Sequence, residues 1–328
     1  MVRAAALPSN SLASYPKGSP MRHLLHRGLL TGVAVVVALS ATPVSAAASS
    51  GPSSGAASAS RPSLAAGTCS ILWDLLNLGG RNGLVAVGLT EDQQLIKFAA
   101  NRPNLTCTIG TVDLPGAETL VGIDYRVQDG RLYGVGDAGG VYTLSTRDAT
   151  ATQVSQLTVA LSGTYFGVDF NPAADRLRII SDTGQNLRHN VNFGGTTLVD
   201  GTLTFPPAVG TALGVTGAAY TNNDLNANTA TTLFDIDTTG DQVAVQSPAN
   251  SGQLAATGKL GVDADQRAGF DIYSTIRSGR AVGNTGYAVL NGTGPSRLYA
   301  VDPLTGEAST TGAFAQVVVD LALQLKQP

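Results

Sequence analysis

The chain is poor in the residues on which most catalysis and metal binding depend. Of its 328 residues, two are Cys, three are His and one is Trp. Cys69 and Cys107 are too few for a disulfide-dense scaffold or a thiolate metal cluster. His23 and His26 fall at the N-terminus, which leaves His189 alone in the remainder. A histidine zinc site therefore lacks its imidazoles. A Ser-His-Asp triad would have to use His189, with no G-x-S-x-G elbow in the globular part. Glutamates number three, Glu91, Glu118 and Glu307, each in a turn or a strand approach. No P-loop and no dinucleotide G-x-G-x-x-G in a βαβ setting appears. Past the N-terminal segment no basic cluster remains, and 16 basic residues stand against 23 acidic ones, a net charge of −7. That excludes nucleic acid and anionic membranes as natural partners.

The N-terminus reads as an export signal. Arg22, His23, His26 and Arg27 form a basic region, Leu29 to Leu39 an apolar core, and Val44-Ser45-Ala46 a small-x-small cleavage site. The spacing predicts a signal over 1–46, with Met21 an alternative start and Ala47 the first mature residue. An apolar core of 11 residues falls short of the ~20 that span a bilayer, so no membrane insertion is expected after cleavage. An uncleaved anchor is the alternative. Residues 47–67 are Ala, Ser, Gly and Pro, too poor in large apolar groups to order themselves, and read as a linker. Residues 68–328 read as one domain of a secreted or surface-associated protein. In that compartment Cys69 and Cys107 are expected to pair; a thiol nucleophile or metal ligand is the alternative.

Within the domain, short β runs are separated by Gly, Asn, Asp, Thr and Pro, with no long amphipathic helix. "FGVDFNPAADRLRIIS" (166–181) is nearly repeated by "VGIDYRVQDGRLYGVG" (121–136). Asp169 as a marker finds counterparts at Asp124, at Ala219 in "GAAY" and at Asp271 in "GFDI". A further step of 49 lands on Asp320 in "VVVDLALQL", the last strand. Evenly spaced first strands imply repeated four-stranded units. The segment before "LVGIDY" supplies three strands, "GLVAVGL", "QLIKFAA" and "CTIGTVDL", and the terminal strand would supply the fourth. The expectation is an all-β, five-bladed β-propeller closed by its C-terminal strand, which leaves no open sheet edge. A β-sandwich or an open solenoid would leave the terminal strand's match unexplained.

"LVGIDYRVQDGRLYGVGDAGGVYTL", "FGVDFNPAADRLRIISDTGQNLRHNV" and "GAAYTNND" with "TTLFDID" resemble the bacterial family catalogued as domain of unknown function 4394, over roughly residues 84–323. The resemblance implies propeller-like repeats and export. It brings no established activity and no catalytic residues.

The candidate site is the repeated acid. If first strands line a central channel, Asp124, Asp169, Asp271 and Asp320 form a ring broken at Ala219. Such a ring could hold a cation, with Ca²⁺ the candidate ion and no other cofactor called for. The competing reading has each Asp hydrogen-bonding the backbone of a neighbouring strand. Arg131, Arg176 and Arg297 each begin a strand, two of them near Asp129 and Asp175. They read as ion pairs at blade corners or as an anion clamp. His189 reads as a strand side chain, and "DIDTTGD" (235–241) as a turn. The function expected is a monomeric, non-catalytic binding or scaffold module for a small ligand, glycan or protein. The alternative is a carboxylate-dependent hydrolase, glycosidase-like or lactonase-like, with Asp169 and Asp271 as its pair.

Overall fold

The computed structural model describes Trp73, residues 83–226 and residues 228–327. The expected signal, the linker and Cys69 lie outside the described residues. Trp73 is buried, with the Lys97 ammonium 5.0 Å from its ring centre.

The described chain forms five four-stranded antiparallel sheets. Blade one contains β1 (Val85–Thr90), β2 (Gln94–Ala99) and β3 (Arg102–Thr111). Blade two contains β4 (Leu120–Tyr125), β5 (Leu132–Gly136), β6 (Gly140–Leu144) and β7 (Ala151–Gln156). Blade three contains β8 (Phe166–Asn171), β9 (Arg176–Ser181), β10 (Asn186–His189) and β11 (Thr197–Val199). Blade four contains β12 (Val215–Tyr220), β13 (Leu233–Asp237), β14 (Gln242–Gln246) and β15 (Leu254–Lys259). Blade five contains β16 (Ala268–Arg277), β17 (Arg280–Leu290), β18 (Arg297–Val301) and β19 (Ala308–Ala313). The last strand, β20 (Val318–Leu323), pairs antiparallel with β1 and completes blade one. The ring is a five-bladed propeller closed by its C-terminal strand, as the repeat spacing predicts.

The burial pattern explains why the repeats are legible. A first strand is covered on both faces, so β12 is buried at all six residues and its sequence is continuously small or apolar. An outermost strand is covered on one face at most, and β7 alternates polar residues with little burial. Apolar packing lies between blades, and each of the five junctions has its own core. Val87, Leu89 and Ile109 of blade one meet Ile123 and Tyr142 of blade two. Tyr133 and Val135 of blade two meet Phe170 and Ile179 of blade three. Ile180 meets Val215 and Leu233 across the next junction, and Phe234 and Ile236 meet Phe270 and Ile272 across the fourth. Leu298 and Phe314 of blade five close the circle on Phe98 and Leu321. Burying such side chains stabilises the fold by about 1.5–3 kcal/mol each.

The turns follow the sequence. Asp137–Gly139 and Asp182–Gln185 join second to third strands, and in "DIDTTGD" the Asp237 carboxylate accepts the Thr239 and Gly240 N–H groups at 3.0 Å each. Cys107, half-buried on β3, is not a free thiol. Among the described residues no helix is long and apolar enough to cross a membrane.

Candidate functional site

The first strands β4, β8, β12, β16 and β20 stand side by side around the axis, and each presents an unpaired edge to its neighbours. Asp side chains cover part of that edge. Asp124 on β4 accepts the Phe170 N–H of β8 at 2.8 Å. Asp169 accepts the Tyr220 N–H of β12. Asp271 accepts the Leu323 N–H of β20 at 2.5 Å, and Asp320 accepts the Ile123 N–H of β4 at 2.7 Å. Four of the five junctions are thus stitched by a carboxylate. At the fifth, between β12 and β16, Ala219 offers no acceptor. There Asn222 N–H donates to Ser274 Oγ at 2.7 Å, and Ser274 N–H donates to Asn223 Oδ1 at 3.0 Å.

The structure corrects the ring in one respect. Asp124 reaches the N–H one residue beyond the marker of the next blade, Phe170, and Asp169 likewise reaches Tyr220. By the same rule Asp271, which reaches Leu323, identifies Ala322 as the marker of β20. Asp320 lies two residues earlier, in the column held by Gly122, Gly167, Gly217 and Gly269 in the other blades. A Cβ on Gly269 would stand 2.5 Å from the Asp320 Cα, and one on Gly122 would stand 3.2 Å from its Oδ2. The absent side chains of those two glycines make room for Asp320.

Among the described residues Asp124, Asp169 and Asp271 therefore converge without Asp320, with one carboxylate oxygen of each within 4.8 Å of the others. All three are buried and no Lys or Arg pairs with them among the described residues. Burial and then the charge of Asp271 hold the Asp124 carboxyl well above its ordinary range. Burial, then Asp124 and Asp271, do the same to Asp169. Burial pushes Asp271 up to about 6, against the N–H groups of Leu323 and Ile272 that favour its ionised form. Asp320 is raised by burial, opposed by its own N–H donors. A cation at the centre of the three would stand at most about 2.8 Å from each oxygen, a bound that includes the 2.3–2.6 Å of calcium. The space beside them is about 20 Å³, bordered by Leu323 and Leu325 among others, which is room for one water.

Two larger clefts border the C-terminal segment. The first, about 780 Å³, is polar and includes Tyr125, Asp129, Arg131, Arg147, Asp148 and Lys326. The second, about 550 Å³, is more apolar and includes Val127, Leu225, Tyr273, Ile276 and Leu325. Leu325 and Lys326 border both.

Of the arginines read as blade-corner partners, none of Arg131, Arg176 and Arg297 makes an ion pair among the described residues. Asp129 and Asp175 pair instead with Arg126. Its Nη1 lies 3.2 Å from Asp129, while Nε and Nη2 grip Asp175 at 2.7 and 2.5 Å, tying blade two to blade three. Nothing in the repeat pattern marks Arg126, because its counterpart in blade three is Asn171. His189 is a strand residue, as expected, fully buried between Ser155 Oγ at 2.8 Å and Thr197 Oγ1 at 3.0 Å. The ring nitrogen that an acid would orient in a triad faces a hydroxyl, and burial lowers the histidine pKa.

Comparison with curated proteins returns no match. Among solved structures the chain is similar to a structural genomics protein of unknown function from Bacteroides thetaiotaomicron (9% identity, TM-score 0.41, covering 68% of this chain and 54% of that one). It is also similar to an auxiliary nutrient binding protein from Bacteroides ovatus (12% identity, TM-score 0.36, 68% and 57% covered). A third is the major allergen Mala s 1 of Malassezia sympodialis (14% identity, TM-score 0.35, 57% and 58% covered). The chain thus spans little more than half the length of these proteins. The family described as "Domain of unknown function (DUF4394)" matches residues 94–322, from β2 into β20, and the chain belongs to that family.

Proposed function

We propose that the protein is an exported, non-catalytic binding module that takes a small polar ligand or glycan at the end of the propeller where Leu325 and Lys326 lie. One observation carries this reading. Among the described residues the converging carboxylates adjoin a space of only about 20 Å³ and are committed to strand-edge N–H groups, whereas clefts of about 780 and 550 Å³ lie nearby. Small-molecule sites commonly measure about 300–1,000 Å³, and loops on a rigid scaffold are where recognition concentrates. The first cleft sets Arg131, Arg147 and Lys326 among threonine and serine hydroxyls, with Asp129 and Asp148 beside them. That chemistry suits a ligand bearing hydroxyls and a carboxylate. The apolar second cleft extends the surface toward a ligand's hydrophobic portion.

The hydrolase alternative fares worse on geometry. A glycosidase needs two carboxyl groups on opposite sides of the sugar, about 5–9.5 Å apart and open to it. Asp169 and Asp271 bring carboxylate oxygens within 4.8 Å of each other beside a space of only about 20 Å³, too small for a sugar ring.

The test is a thermal-shift screen of oligosaccharides, cell-wall fragments and small carboxylates, repeated with Arg131→Ala and Ile276→Ser. A ligand that raises Tm in the parent and loses its effect in one of these variants supports the reading. No response from any compound, or turnover of one that survives Asp169→Asn, overturns it.

A further inference from the structure

We infer that the junction of blades three and four holds a separate binding site for a small oxyanion group, a carboxylate or a phosphate, gripped by Arg176, Arg178 and Arg188. In the register of blade three, Arg178 on β9 lies directly opposite Arg188 on β10. Arg176 precedes Arg178 by two residues and shares its face of the sheet. Like charges opposed across a ladder destabilise it unless something compensates them.

Compensation from the protein is incomplete. Asp200 bridges two of the three, accepting from Arg178 Nη1 at 2.7 Å and from Arg188 Nε at 3.0 Å. Asp175 is engaged by Arg126. Asp235 is fully buried, neither of its oxygens has a hydrogen bond, and burial, opposed by Arg178, drives its carboxyl well upward toward the neutral form. Asp169 is likewise held upward by burial and by Asp124. Arg178 and Arg188 thus share the single carboxylate of Asp200, and the carboxylate nearest Arg176, Asp175, is already gripped by Arg126.

The surplus charge surrounds an open space. A cavity of about 80 Å³ is lined by Asn171, Arg176, Arg178, Arg188, Tyr220 and Asn250, well above the ~10–15 Å³ that a single water requires. Arg178 is 2% exposed and cannot swing away. Its Nε donates to Tyr220 OH at 3.2 Å, its Nη2 to Asn250 Oδ1 at 2.8 Å and its Nη1 to Asn186 Oδ1 at 2.6 Å. Unused donors remain at the cavity's edge. Arg176 spends only Nη1, on the carbonyls of Ala174 and Asp175, and Arg188 spends only Nε. Their other guanidinium nitrogens have no partner among the described residues. A planar fork of free N–H groups matches the two oxygens of a carboxylate or phosphate, and the buried Arg178 supplies a fixed charge behind them.

The experiment is isothermal titration of the exported protein with inorganic phosphate and, separately, with acetate, at constant ionic strength. The parent is expected to bind one anion per chain saturably, and the tighter arm identifies the group recognised. Arg188→Gln, which leaves the Arg178–Asp200 pair in place, is expected to lower affinity about tenfold or more. Arg176→Gln is expected to do the same and decides the matter should Arg188→Gln fail to fold by circular dichroism. Arg297→Gln serves as the control and is expected to bind as the parent does. Absence of saturable binding of either anion to the parent overturns the proposal. So does parent-like binding by the folded Arg176 and Arg188 variants. Neither result touches the clefts beside Leu325, so failure here leaves that reading standing.

Discussion

Replacing Asp271 separates the two things its carboxyl does, accepting an N–H and carrying a charge among two other acids. Burial raises its pKa from 3.8 to about 6, so the folded chain holds the proton more tightly than the unfolded chain. Its contribution is therefore fully favourable below about pH 4 and is lost as pH rises through 6. About two pKa units at 1.36 kcal/mol each set a ceiling of about 3 kcal/mol on the cost of ionising it in the fold. Asp271→Asn keeps an oxygen for the Leu323 N–H and removes the ionisation. With about 1 kcal/mol of the ceiling spent on housing the amide N–H₂ group, the variant should exceed the parent by about 2 kcal/mol at pH 7.5 and fall slightly below it at pH 4. That corresponds to about 4–8 °C in Tm for a domain of this size. Asp271→Ala also removes the ionisation but abandons the Leu323 N–H, so it should lie about 1–3 kcal/mol below the Asn variant at both pH values. The assay is thermal and urea unfolding at pH 4, 5.5 and 7.5 in EDTA, read as differences from the parent so that other titrations cancel. An Asn variant less stable than the parent at pH 7.5 would refute the reasoning, because the charged carboxylate would then be the favoured state of the fold.

Three further outcomes are expected. Gly167→Ala places a Cβ 2.7 Å from the Ala218 nitrogen and 2.8 Å from the Gly217 carbonyl carbon, backbone that cannot yield, and should cost about 3 kcal/mol in urea unfolding; a loss under 1 kcal/mol would contradict the close approach of β8 to β12. Asp320→Ala strands the buried N–H groups of Ile123 and Leu321 where β20 meets β4, so Tm should fall by about 4–8 °C, with hydrogen exchange fastest on β4 and β20. If the chain is exported as proposed, its intact mass should begin at Ala47 and Cys69 and Cys107 should resist alkylation until reduced; a free thiol at Cys69 would remove the bridge.

What was legible in the sequence and what was not divides along a physical line. Blades repeat because a first strand buried on both faces must be continuously apolar or small, so "GIDY", "GVDF", "GAAY" and "GFDI" align without reference to any structure. Closure was legible for the same reason, since "VVVDLALQL" is a doubly buried strand with no blade of its own. The level at which β20 sits was not. Counting residues led to Asp320 because it is the only acid there, yet level is set by which N–H a neighbour's carboxylate meets, and Asp271 meets Leu323. A signal was present: four first strands carry Gly two residues before the marker, and β20 carries Asp320 in that column. The arginine cluster was hidden more deeply. Arg176 reads as a corner residue and Arg188 as one polar residue of "NLRHN". Only the β9–β10 register, fixed by the Asp182–Gln185 turn, sets Arg188 against Arg178. Local pattern reports burial, and so reports the fold. Which charges face each other depends on register between strands, and there the ring departs from its own symmetry. Ala219 and Ala322 open the acid ring on two sides, Asp320 fills a glycine's place, and blade three opposes two arginines within its sheet, where blade five does so only at a hairpin end. In a fold built from repeats, those departures are where a single ligand has something to recognise.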